Sequence, residues 1–409
     1  MQGLFQSSVK LCFRCFSVGV LMIIGFFELR LSGLGRFPQW LTPYLCDHCN
    51  DVELVLFYEQ DDLINIDELL QKFPDGTKIV KVKSVDKNSI RELLVCHNLD
   101  RLVVMAQRIP DSCIVATAKL LGIKTIMYQH GLYIPFMKRE GSLFINNIYK
   151  SYRFFKYAIT IASILDISRF KVLMQYIKVY LLGHNAVKVG LPYERLNVDK
   201  VMVYGEYWKE YHREQFGYNI QQQVIVGAPD FNDLGSMREK ILEKRPICYI
   251  AQTLVEDGRL PREMMETFIS NLANVATEAG VKVFVRLHPR SDITLYSKLE
   301  GIADFSKSEF PDATIYIGHY SSIIAKATFF SDNIVLVDFP EHAIPDYIEM
   351  LHSQKFRYDD RNELAEAIAK GLEKGVDNKI LIDNIKKQDL YFDSSIKAPL
   401  NAAALEILK

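Results

Sequence analysis

What most constrains this 409-residue chain is a repeated alternation of short apolar runs with helix-like stretches. The runs at 52–58, 78–82, 102–106 and 125–128 read as strands, each followed by a helical pattern. Strands separated by helices in this way form βαβ units, and hence a parallel sheet. Within the rhythm, Pro110-Asp111-Ser112 marks a helix start and Gly122 its stop. The pattern resumes at 200–204 and 224–226, and Gly227-Ala228-Pro229 punctuates a loop. A fresh set of strands opens at 247–251 and continues at 281–287 and 314–318.

A chain of this length exceeds one ordinary core, so two α/β domains are expected. The expected limits are 1–40 for a hydrophobic N-terminal segment, 41–235 for a first domain with a basic insertion at 150–185, 236–375 for a second domain, and 376–409 for a helical C-terminal segment crossing back onto the first. The apolar stretch 16–27 follows Lys10 and Arg14 and is too short to span a bilayer. A membrane-contacting or buried helix is the expectation there. The 49 basic and 50 acidic residues balance, which removes the overall field that nucleic-acid binding requires.

The three strands of the second set end in polar clusters: Glu256-Asp257-Gly258, His288-Pro289-Arg290 and Tyr320-Ser321-Ser322. Ligands of open α/β sheets bind outside the carboxyl ends of the strands, so the clusters can converge on one crevice. Of the adjacent carboxylates, one can face the crevice while the other caps a helix, and Gly258 lets the backbone turn. His288, halted at the strand end by Pro289, can give a proton or hydrogen bond to a phosphate oxygen, with Arg286 or Arg290 adding charge. Ser321 and Ser322 stand where a helix begins, so Ser322 can cap while Ser321 binds an anion, and Tyr320 or His319 can flank a base or sugar. Each cluster also has a plain structural explanation as a turn, a strand end or an N-cap.

The segment 152–182 is aromatic and aliphatic, with Arg153, Lys156, Arg169, Lys171 and Lys178 against Asp166 alone. It reads as basic amphipathic helices that either lie on an anionic membrane or pack on the domain core. Two Cys-x-x-Cys pairs, Cys12/Cys15 and Cys46/Cys49, have zinc-site spacing, but the first lies in apolar sequence. Reduced thiols and no metal site are expected.

In order and spacing, the three clusters resemble the signature of bacterial sialyltransferases and polysialyltransferases: an acidic pair before glycine, then His-Pro, then a serine pair. The resemblance covers about the second domain. It implies a GT-B fold, two Rossmann-like doubly wound domains facing a cleft, with an inverting mechanism, a CMP-sugar donor and no required cofactor or metal. It also implies that Glu256 is the base, His288 the acid or phosphate ligand, and Ser321 with Ser322 the holders of the CMP phosphate. Gln129-His130-Gly131 is similar to a strand end of capsule and teichoic-acid enzymes, including CDP-glycerol glycerophosphotransferases, and puts Gln129 and His130 on the acceptor side. The expected function is transfer of sialic acid or a related nonulosonic acid to a cell-surface glycan, free or lipid-linked, by a cytoplasmic enzyme peripheral on the inner membrane. The rivals are a CDP-glycerol or CDP-ribitol phosphotransferase or another GT-B transferase of surface polysaccharide biosynthesis, and a non-catalytic capsule-assembly protein.

Overall fold

The computed structural model describes residues 21–62, 64–129, 131, 148–180, 186–231, 244–340, 344, 348, 351 and 353–409. Two parallel sheets carry the molecule. The first holds β1 (Met22–Arg30), β2 (Val52–Gln60), β3 (Lys78–Lys81), β4 (Arg101–Val104), β5 (Lys124–Tyr128), β6 (Lys200–Val203) and β7 (Gln223–Ile225), in the order β3-β2-β1-β4-β5-β6-β7. The second holds β8 (Arg245–Ile250), β9 (Val283–Arg286), β10 (Ala303–Ser306), β11 (Ala313–Gly318), β12 (Asn333–Asp338) and β13 (Ser353–Arg357), in the order β10-β9-β8-β11-β12-β13. Both orders are doubly wound, and each reverses direction beside its first strand: between β1 and β4, and between β8 and β11. Those two reversal points are where such sheets open a crevice.

The N-terminal expectation is corrected. Met22–Arg30 is not a helix but β1, which pairs with β2 on one side and β4 on the other at the middle of the first sheet. A strand buried on both faces reads as a continuous apolar run, which periodicity alone does not separate from a buried helix. Gly25 is needed in it, because a Cβ there would come within 2.7 Å of the Leu99 side chain. Residues 1–20, with Cys12 and Cys15, lie outside the described residues. Cys46 and Cys49 are free thiols.

The C-terminal helices return to the first domain. Asn378–Phe392 packs on the helix Glu206–Phe216, and the Trp208 indole N–H donates to the Tyr391 carbonyl at 2.9 Å. The approach is so close that a Cβ on Gly205 would meet the Tyr391 backbone at 2.6 Å. Pro399–Leu408 lies against Phe37–His48 and buries Leu400, Ala403, Ala404 and Ile407. Lys200 Nζ reaches Glu406 at 2.9 Å across the same seam.

The basic insertion forms two helices, Ile148–Leu165 and Arg169–Tyr180, packed on each other, with the first also lying on Ile109–Leu120. Tyr157, Ala158, Ile161, Ala162, Ile164, Leu165, Val172 and Tyr176 are buried. Arg153 turns inward and pairs with Glu59 at 3.0 Å. What remains outside is mixed: Tyr152 is 63% and Phe170 73% exposed, Ile159 and Met174 are also exposed, and Lys171 and Lys178 lie among solvent-facing positions. Among the described residues, no helix is long and apolar enough to cross a membrane.

Candidate functional site

The three clusters stand at the carboxyl edge of the second sheet, and side-chain hydrogen bonds tie the first two together. After β9 the chain makes a tight turn: the Ser291 amide donates to the His288 carbonyl at 2.9 Å, and the His288 amide donates to Ser291 Oγ at 3.1 Å. Proline suits the second position of such a turn because its φ is preset. The Arg290 amide donates to His288 Nδ1 at 3.1 Å, so the ring proton resides on Nε2. Burial, followed by the charges of Arg290 and Arg36, lowers the His288 pKa to about 4; Asp257 pulls the other way and Arg286 adds to the depression. At neutral pH the ring is an uncharged N–H donor.

The acidic pair divides its work. Asp257 accepts from Arg290 Nη1 at 2.8 Å and from Thr253 Oγ1 at 3.0 Å. Burial would raise its carboxyl, but the hydrogen bonds from Arg290 and Thr253 outweigh that and hold it below the ordinary carboxylate value. Arg290 is therefore committed to Asp257. Glu256 reaches beneath the turn, where its Oε1 accepts from the Asp292 amide at 2.7 Å, while its Oε2 is shielded from solvent and has no hydrogen-bond partner. A buried carboxylate oxygen left unpaired is uncommon and calls for a functional explanation. Gly258 supplies the turn with φ of 65°, in open space.

At the end of β11, Ser321 rather than Ser322 is the cap: its hydroxyl accepts from the Ile323 amide at 3.2 Å, ahead of the short helix Ser322–Ala327. The Tyr320 ring is 1% exposed, so it supports the crevice wall rather than flanking a ligand. His319 is likewise buried, with Nδ1 at 2.6 Å from the Val337 carbonyl.

Sequence reasoning missed the part that joins these strand ends. Gln252, just past β8, accepts from the Tyr320 amide at 3.0 Å and donates to the Tyr320 carbonyl, closing the edge between β8 and β11. Gln129 does the same work in the first domain. It is fully buried, accepts from the Tyr204 amide at 3.2 Å and donates to the Gly131 carbonyl at 3.1 Å; Tyr204 Oη then accepts from the Gly131 amide. Gln129 is thus a clamp between β5 and β6 instead of an acceptor contact, and His130 lies outside the described residues. Removing either amide strands buried backbone groups. Gln129→Ala and Gln252→Ala are each expected to cost about 1–3 kcal/mol, measured by urea unfolding.

At the reversal point of the first sheet, two further acids share one arginine. Arg108 Nη2 donates to Glu28 at 3.1 Å, and its Nε donates to Asp111 at 2.6 Å. Glu28 and Asp111 are buried, so the network fixes this edge firmly. Arg36, also unforeseen, stands past β1 at the carboxyl edge of the first sheet, and its charge acts on the His288 ring.

No family model matches the chain, and no curated protein matches it. Solved structures do match along nearly the whole length. The glycotransferase of kitacinnamycin is 12% identical, covering 95% of this chain and 99% of its own, with a TM-score of 0.55. UDP-GlcNAc 2-epimerase from Neisseria meningitidis, solved with UDP-GlcNAc, is 10% identical over 95% and 99%, at 0.54. The wall teichoic acid polymerase TagF is 14% identical over 95% and 88%, at 0.53. At such identities the likeness concerns the fold: the chain has the GT-B architecture of two Rossmann-like domains.

Proposed function

We propose that the protein is an inverting glycosyltransferase that moves sialic acid or a related nonulosonic acid from a CMP-sugar to a cell-surface glycan. The observation that carries this reading is His288, a neutral N–H donor set among arginines at the carboxyl edge of the second sheet. A departing nucleotide phosphate gains charge as the sugar leaves, and preorganised donors aimed at that charge are the main means of catalysis available without a metal. Glu256 Oε2, which holds no hydrogen bond, is the proposed base for the acceptor hydroxyl. Asp257 serves it indirectly by fixing Arg290 and the turn. Ser321 and Ser322 are the proposed holders of the phosphate.

The test is a donor panel of CMP, CDP and UDP with their activated sugars, scored for binding and turnover. Selective binding of CMP and turnover of CMP-sugar support the reading. Preference for CDP-glycerol moves the chain to phosphotransfer, a reading the likeness to TagF keeps in view. Absence of any nucleotide binding leaves an assembly role.

The outer face of the helices Ile148–Leu165 and Arg169–Tyr180 is the proposed membrane contact. Exposed Tyr152, Ile159, Phe170 and Met174 can enter the headgroup layer while Lys171 and Lys178 meet anionic lipid. Each basic residue near such a surface contributes about 1 kcal/mol. Lys171→Glu with Lys178→Glu is therefore expected to weaken binding to phosphatidylglycerol vesicles by roughly tenfold or more. Unchanged co-sedimentation would remove the membrane from the proposal.

A further inference from the structure

We infer that Arg36 is the first domain's ligand for the donor phosphate, so that the phosphate is held from both sides of the cleft. The inference rests on the phosphate role proposed above for His288, and it names a residue of the opposite domain that completes the site.

Placement comes first. Arg36 sits between the helices Leu31–Leu34 and Phe37–His48, immediately beyond β1. It is therefore at the carboxyl edge of the first sheet, beside the β1/β4 reversal point, as His288 is at the carboxyl edge of the second. The side chain is exposed and forms no ion pair or hydrogen bond with any described residue. Its position is held from behind: Phe37, Pro38, Leu41 and Leu45 are buried, and Pro399–Leu408 covers the helix they belong to.

Charge comes second. The groups acting on His288 are Arg290, Arg36, Asp257 and Arg286. Asp257 is the single acid among them, and its carboxylate is engaged by Arg290. Arg286 donates to the Leu287 carbonyl, and its Nε is buried without a partner. Two guanidinium groups from different domains, Arg36 and Arg286, thus act on one imidazole, and the single carboxylate acting on it is already engaged. Like charges brought together near a low-dielectric wall repel, and an anion between them reverses the sign of the interaction. A phosphate suits the arrangement: guanidinium groups bind its oxygens through charge-assisted hydrogen bonds, and the His288 Nε2–H can take a third oxygen.

The alternative is that Arg36 is an ordinary solvated surface cation, screened and without effect on ligands. The chain itself offers a probe for the difference. It has two tryptophans, of which Trp208 is 1% exposed and Trp40, one helical turn beyond Arg36, is 42% exposed. Collisional quenching by acrylamide therefore reports chiefly on Trp40.

The experiment titrates CMP, CDP and UDP, with cytidine and uridine as controls, into the full chain and into Arg36→Ala, Arg36→Lys and His288→Ala, by calorimetry. For the nucleotide that binds best, Arg36→Ala is expected to raise Kd by roughly 10- to 100-fold with nucleoside binding unchanged, and Arg36→Lys to restore part of the loss. In the wild type the same nucleotide is expected to protect Trp40 from acrylamide. Loss of nucleotide affinity in His288→Ala but not in Arg36→Ala would overturn the inference and leave the phosphate role of His288 standing. Equal affinity for nucleotide and nucleoside in every variant, or no nucleotide binding by the wild type, would remove both. A further check needs no ligand: the His288 titration followed by NMR should move upward in Arg36→Ala, and an unmoved titration would show that the two groups do not face each other.

Discussion

Replacing His288 with alanine is expected to lower kcat/KM for donor turnover by about 10²–10³, the usual loss when one preorganised donor to a developing anion is removed. Nucleotide affinity should fall with it, since the Nε2–H serves the bound phosphate before as well as during transfer. Glu256→Gln should separate from this pattern. The glutamine can still accept from the Asp292 amide, so the turn stays in place, while the proton acceptor is gone. Donor affinity is then kept and kcat drops, which is the signature of an interaction used in the transition state alone. Wild-type turnover in Glu256→Gln would transfer the base role away from that residue. Because His288 is already neutral well below pH 6, its ionisation should contribute no limb to the rate profile between pH 6 and 8.

Acid is expected to destabilise the protein through a different histidine. His212 is fully buried in the helix Glu206–Phe216, and its Nδ1–H donates to the Trp208 carbonyl at 2.7 Å. Burial pushes its pKa down to about 4, although the bond to Trp208 works in the opposite sense. In the unfolded chain the imidazole takes its proton near 6.5, so between 6.5 and 4 the unfolded state binds more protons than the native one. Stability is therefore complete above pH 6.5 and is lost as pH falls toward 4, by about 3 kcal/mol from this residue. The half-buried His288 has the same sign and adds less. Urea midpoints at pH 7.5, 6 and 5 should fall steadily, and His212→Phe should flatten the slope whatever it does to the absolute value. A slope unchanged by that substitution would place the acid sensitivity elsewhere.

The strand rhythm and the three strand-end clusters were legible in the sequence because each depends on local signals: an apolar run, a Gly or Pro stop, a helix start. Parts of the fold fixed by long-range proximity were not. β1 shows no alternation because both faces of its sheet are covered there, so no polar face survives to mark it. Gln129 was assigned to a ligand because a polar residue at a strand end suits either a crevice or a clamp, and only the position of Tyr204 decides between them. Ser321, expected to bind the anion, is instead the cap, since capping depends on backbone angles rather than on residue type. The pairing of Asp257 with Arg290, and the action of the Arg36 charge on His288, exist only once separate strand ends, and in the second case separate sheets, are brought near each other.

The return of Pro399–Leu408 onto Phe37–His48 bears on the order in which a nascent polypeptide can mature. Domains tend to fold as units while they emerge from the ribosome. Here every strand of both sheets precedes Lys374, yet the helix behind Arg36 lacks the cover of Pro399–Leu408 until the residues after 398 have been made. A partly synthesised chain would hold a finished second sheet beside a first domain still showing apolar surface. The arginine at the cleft would be seated only once those residues had emerged, and the interval before that is when such a chain would be a client for chaperones.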